Sequence, residues 1–250
     1  MKAKNKMSEF FLELFSEEIP AKLQVNARNN LYSYFKNFFE KNDVDIKGQI
    51  KVFSTPNRLV VYIDKIPKNI KKKAHEIRGP SIKSPDQALE GFIRSNKIKK
   101  NQVYKKNTEK GDFYFFKNPS IKINTVELIK ENIANILNKI SWDKSMKWGT
   151  HNLYWGRPLK SILTVFDGKK VDYDFYHLKS SNNTYIDKDF EEKNKIFNNF
   201  KSYNSYFKSL GIIIDQDKRK SLIKRELTKI SNKKNLKINF NEKLLDEITN

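Results

Sequence analysis

Glu17 and Glu18 are adjacent carboxylates that could share acid–base work. They stand just before Pro20, a favoured first residue of a helix, where negative charge is stabilised by the helix dipole. The sequence therefore reads them as the cap of a following helix. His75, His151 and His177 are far apart in the chain, none has a carboxylate at helical spacing, and cysteine is absent. No zinc site is expected from that set, and each His reads as a surface or hydrogen-bonded structural residue. The eight glycines are isolated and match no phosphate-cradling loop. Residue types and spacing thus assign no catalytic group and no metal ligand.

The remaining chemistry is recognition of a polyanion. The chain has 50 Lys and Arg against 29 Asp and Glu, a net charge of +21, which points to nucleic acid. Only seven of the 50 are Arg, and Lys, Asn and Ile exceed a third of the chain while Ala and Gly are scarce. That is the mark of a gene drifting toward A and T, so part of the charge is a compositional by-product on solvated faces. An arginine that persists against this drift is the better bet for a bidentate role, which singles out Arg58 and Arg78. All three Trp lie between 142 and 155, among Lys144, Lys147 and Arg157. Aromatic faces stack on unpaired bases while cations hold phosphates, so Arg58, Arg78, Lys144, Lys147, Trp148 and Arg157 form the RNA-binding set. The alternative for the Trp segment is a core or interface anchor beside a helix end. Trp142 is expected to be buried against the preceding helix, and Trp148 to be an exposed platform.

These residues need a scaffold, and the apolar pattern predicts one of mixed α/β (α+β) class. Phe10 to Phe15 read as a buried strand. Leu23, Ala27, Leu31, Phe35 and Phe38 give an amphipathic helix over 20–41. Strands at 50–53 and 59–63 flank a Thr55-Pro56-Asn57 turn, and 66–85 reads as a long basic loop without periodicity. Ser84 to Gln87 form a capping box opening a helix to about 95, with a hairpin about Lys110-Gly111 and a helix begun by Asn124. A second hairpin turns at Asp167-Gly168. Beyond it, Asp215 and Asn241 each cap a helix. The expected organisation is a disordered start (1–7), a mixed-sheet α/β domain with flanking helices (8–180), a polar linker (181–195) and the start of a helical domain (196–250). The longest apolar run, Leu59 to Ile63, is far short of the roughly 20 residues of a membrane span. With no signal-peptide pattern at its start, the chain is expected to be cytoplasmic.

Seven segments in order resemble the N-terminal part of the bacterial glycyl-tRNA synthetase beta subunit. They are Phe11 to Pro20 (like LLEIGTEELP), Phe53 to Leu59 (like FATPRRLA), Arg78-Gly79-Pro80 (like KRGP), Ala88 to Arg94 (like A-x-GF-x-R), Lys110 to Phe113 (like KGEY), Lys144 to Trp148 (like KSMRW) and Arg157-Pro158 (like F-x-RP). The chain departs from the family pattern at Phe15, where the family has glycine, and at 181–190, where a Gly-His-Arg run is missing. It reads as the leading third of such a subunit, since family members continue well past the equivalent of Asn250. The resemblance implies a tRNA-handling, non-catalytic role supporting a glycine–tRNA ligase. Glycine activation, with ATP and magnesium, would sit on a separate alpha subunit, and the partners would be that subunit and glycine tRNA in a hetero-oligomer. This chain would bind no cofactor and touch no membrane. A free-standing basic RNA-binding module, or a decaying fragment outside any ligase, is the alternative.

Overall fold

The computed structural model describes residues 6–72, 74–186 and 195–250. The chain opens with strand β1 (Met7–Ser16), helix α1 (Ala21–Lys41), β2 (Ile50–Thr55) and β3 (Arg58–Pro67). Next come β4 (Asn69–Lys72), β5 (His75–Ser81), α2 (Asp86–Ser95), β6 (Val103–Thr108), β7 (Gly111–Asn118) and β8 (Ile121–Asn124). It continues through α3 (Thr125–Asn138), β9 (Leu159–Phe166), β10 (Lys169–Lys170), α4 (Phe200–Ser209), α5 (Gln216–Lys233) and α6 (Glu242–Thr249). Helices and antiparallel sheets together make this a mixed α/β protein.

Two compact units divide the chain. Residues 69–123 form one, inserted into the other, which comprises 1–68 and 124–250. In the larger unit a five-stranded sheet has the order β10-β9-β1-β3-β2. β1 is its centre, antiparallel to both β3 and β9, and Phe10 to Ser16 are buried without interruption. A strand covered on both faces must be apolar on both, which is why the run does not alternate. On one face Phe10 meets Phe35 of α1, ring centroids 5.6 Å apart. Leu23, Ala27, Leu31, Phe35 and Phe39 recur every four residues and form the buried stripe of α1. Phe39 rather than Phe38 ends that stripe, because the fourth residue after Phe35 lies over the same face. On the other face Phe11, Phe53, Val60, Leu163 and Val165 pack with Phe197, Tyr203, Phe207 and Ile214.

That second layer explains why compactness divides the chain elsewhere than at 181–195. Residues 196–250 carry aromatics that complete the core of the first sheet, so they belong to the larger unit. Within the expected linker, Asn183–Thr184 pair with Lys195–Ile196, and residues 187–194 lie outside the described ones. Of the expected disordered start, 1–5 also lie outside, while Met7 already pairs with Pro67.

Within the basic stretch 66–85, residues 66–67, 69–72 and 75–81 are strand rather than loop, and 82–85 turn toward α2. The stretch completes β3 and supplies β4, which pairs with β8, and β5, which pairs with β7. β5 is mostly exposed or half-buried, so it leaves no alternation for the sequence to show. The hairpin β6–β7 turns at Gly111, whose φ of 107° suits glycine. Caps at Asn124, Asp215 and Asn241 form as expected. Those at Ser84 and Glu17-Glu18 do not, because prolines 85 and 20 themselves take the N-cap position without a side-chain bond. Glu17 instead pairs with Lys160 at 2.8 Å.

Phe35 is fully buried under β1. Phe35→Ala is expected to lower unfolding stability by about 3 to 5 kcal/mol, read by urea denaturation, while Phe38→Ala, half-buried, should cost markedly less.

Candidate RNA interface

Glu13 lies in the middle of the apolar β1 run, and its carboxylate is fully buried. An ionised group there is tolerated only if it is paired and hydrogen-bonded. β3 supplies the partner. Arg58, 4% exposed, places Nε 3.2 Å from Glu13 Oε2 and donates from Nη2 to the carbonyl oxygens of Tyr185 and Ile186 at 2.5 and 3.3 Å. Its guanidinium sits between the rings of Phe15 and Phe207, 4.6 Å from each centroid. From α4, the Tyr203 hydroxyl donates to Glu13 Oε2. Burial pushes the Glu13 carboxyl up, against the pull of Arg58, Thr184 and Tyr203. Burial and the Glu13 charge raise the Tyr203 phenol well above its ordinary value, so it stays a donor. Arg58 thus directs its donors to the protein's own groups and is buried, unlike the other cations of the expected RNA-binding set.

The Trp segment forms a loop between α3 and β9, closed by reciprocal backbone bonds between Met146 and Trp155 at 2.8 and 3.1 Å. Lys144 and Lys147 are exposed and Arg157 is half-buried, its Nη1 donating to the carbonyl of Gly156. Trp155, not Trp142, is the deeply buried indole. Trp142 is half-buried and leans on Trp155, centroids 5.1 Å apart. It occupies the space above Gly156, where an added Cβ would come within 2.3 Å of its ring, so glycine is required there. Trp148 is not the open platform expected. It is half-buried, with its ring edge-on to His177 at 6.0 Å. His177 in turn stacks on His151, centroids 3.6 Å apart and 7° from parallel. Two histidines distant in the chain thus meet, because the turn at 175–178 folds back beside the loop. Burial and the neighbouring His151 charge lower the pKa of His177 below its ordinary 6.5.

Lys144, Lys147, Trp148 and Arg157 are thus gathered on one loop. Arg78 belongs to the smaller unit, exposed on β5 with its guanidinium over the ring of Phe113 at 3.9 Å. Sequence reasoning missed Glu13 and Tyr203. The signal for Glu13 was present as one carboxylate inside a strand buried on both faces, whereas nothing local marks Tyr203.

The fold and these residues define a class: an α/β chain with a basic inserted unit, braced by a buried ion pair and presenting cations beside aromatics. The family described as "Glycyl-tRNA synthetase beta subunit" matches residues 10–250, and the chain belongs to that family. It is 35% identical over 243 residues to the glycine–tRNA ligase beta subunit of Rickettsia prowazekii (strain Madrid E) and 36% identical over the same length to that of Rickettsia typhi (strain ATCC VR-144 / Wilmington). Each alignment covers 97% of this chain and 36% of the relative, so the chain spans about a third of the length of these relatives.

Two outcomes test this geometry. Glu13→Gln leaves Arg58 buried without its counter-charge and is expected to cost about 3 to 5 kcal/mol in urea unfolding; the double variant with Arg58→Met should recover much of that loss. The lowered His177 pKa means that its neutral form is the one the fold favours. Stability from the stacked pair is therefore present above the unfolded pKa and lost as pH falls through the lower folded value. Tryptophan fluorescence should change on acidification with a midpoint below 6.5, and Trp148→Phe should abolish that change.

Proposed function

We propose that this chain is the tRNA-handling part of a glycine–tRNA ligase beta subunit, working in a hetero-oligomer with an alpha subunit that activates glycine with ATP and magnesium. The observation that carries the reading is the family match along 10–250, with relatives covering 97% of the chain. Exposed Lys144 and Lys147 beside Trp148 support an RNA role, since cations on one loop can position a phosphate backbone. On this reading the chain binds no cofactor of its own and works in the cytoplasm. Among the described residues no helix is long and apolar enough to cross a membrane.

The test is binding of glycine tRNA by the purified chain across a salt series. Glycine tRNA should bind more tightly than an unrelated tRNA, and Lys144→Ala with Lys147→Ala should reduce the slope of log affinity against log salt by about one for each phosphate no longer held. Equal affinity for every polyanion, unmoved by these substitutions, would overturn the assignment of tRNA handling to this loop. Glycine-dependent ATP–pyrophosphate exchange should be undetectable with this chain alone; clear exchange would refute the placing of activation on the alpha subunit.

A further inference from the structure

The smaller unit has two unlike sheet faces. Ile77, Val103 and Phe116 share one, opposite one another in register. Gly79 lies on the same side, and α2 covers it with Phe92, close enough that a Cβ on Gly79 would sit 3.0 Å from the ring. The other face carries Glu76 and Arg78 from β5, Phe113, Phe115 and Lys117 from β7, and Tyr104 and Lys106 from β6, since residues opposite in register share a side. Three aromatic rings and three cations therefore stand on one three-stranded surface.

Their arrangement is specific. Tyr104, 36% exposed, stacks on Phe115 at 6.3 Å and 27° between planes. Lys106 Nζ lies over the Phe115 ring at 5.4 Å, and Arg78 covers Phe113 at 3.9 Å. Glu76 is the single carboxylate among these side chains. It accepts from the Tyr104 hydroxyl at 2.7 Å and pairs with Lys106 at 2.5 Å. Residues 69–123 hold 14 Lys and Arg against five Asp and Glu. Phe115 is buried and Phe113 half-buried beneath the cations, so Tyr104 is the exposed ring of this face. A basic field around an exposed ring is the chemistry of a surface that stacks unpaired bases and holds their phosphates.

We propose that the Tyr104–Phe113–Phe115 face is a second RNA-contact surface, one that binds unpaired nucleotides. Tyr104 supplies the stacking ring, Arg78, Lys106 and Lys117 meet the phosphates, and Glu76 occupies the place of a phosphate when RNA is absent. The hydrogen bonds from Lys106 and Tyr104 hold the Glu76 carboxyl below the usual carboxylate range, so it is a fixed anion that the incoming strand must displace. Duplex RNA, whose bases are already stacked, gains nothing from the ring. This inference rests on the RNA-handling reading of the chain, though it concerns different residues from those of the Trp loop.

The experiment measures binding of a fluorescent 12-nucleotide uridine oligomer, a duplex RNA of equal length and a glycine tRNA transcript to the whole chain. Tyr104→Ala is expected to weaken the single strand about tenfold and leave the duplex nearly unchanged. Tyr104→Phe, which keeps the ring and frees it from Glu76, should bind at least as well as the parent. Glu76→Gln should bind the single strand several-fold more tightly. Arg78→Ala should weaken both RNAs and flatten the salt dependence. Tyr104, Glu76 and Arg78 are all exposed, and circular dichroism of each variant is to show the parent's spectrum before its binding is read. If Tyr104→Ala and Glu76→Gln both leave oligomer affinity within twofold while glycine tRNA still binds, the surface proposal fails and the RNA-handling reading stands. If the chain binds no RNA at all, both fail.

Discussion

The larger unit depends on the need to neutralise one carboxylate. Glu13 sits at the centre of the central strand, where both faces are covered. Left unpaired, a charge there would cost several kcal/mol, so the fold must bring donors to it from distant parts of the chain. It does so with Arg58 from the neighbouring strand and Tyr203 from a helix 190 residues away. Arg58 then reaches the backbone at 185–186 and lies between Phe15 and Phe207. One polar cluster thus fixes the register of β1 against β3, the seating of α4 and the path of the chain before residue 187. An apolar core could pack as tightly, but it would not demand these particular partners.

Arginine carries a related task elsewhere in this unit. Arg219 donates to the carbonyls of Ser54, Ile213 and Thr249, and so ties α5 to β2 and to α6. Arg28 of α1 bonds the Ser54 hydroxyl and the Asn250 side chain. A planar fork with several fixed donors can join separate carbonyls in a way a lysine ammonium cannot. Retention of arginine in a lysine-biased chain therefore marks internal bracing in these three cases. At Arg78 the same residue type lies open to solvent over an aromatic ring. Residue type pointed to a bidentate role, and burial sets Arg58 among the protein's own groups and Arg78 at the surface.

Charge follows a comparable division. The lysines are mainly spread over solvated faces, as a compositional drift would leave them. Where they stand beside aromatics, on the loop carrying Lys144 and Lys147 and on the face carrying Lys106 and Lys117, net charge becomes local chemistry. The ion pair of Lys106 with Glu76 is solvent-exposed and of little consequence for stability. On the proposed RNA surface it holds a cation beside the exposed ring of Tyr104.

The amino-acid sequence by itself determined the mixed α/β class, the buried first strand, the amphipathic helix α1 with its stripe from Leu23 to Phe35, the caps at Asn124, Asp215 and Asn241 and the family. Each is written in local periodicity, side-chain capping or a short ordered motif. It could not show that 69–72 and 75–81 are strand, because β4 and β5 take their stability from β8 and β7, distant in the chain, and β5 exposes much of its own surface. Nor could it show that residues 196–250 finish the core of the first sheet, that Trp155 rather than Trp142 is buried, or that His151 meets His177. Those outcomes depend on which surfaces the folded chain presses together, a property of long-range packing that neighbouring residues do not encode. Glu13 stands between the two cases: a carboxylate in a doubly covered strand announces that partners must exist, and only the tertiary structure names Arg58 and Tyr203.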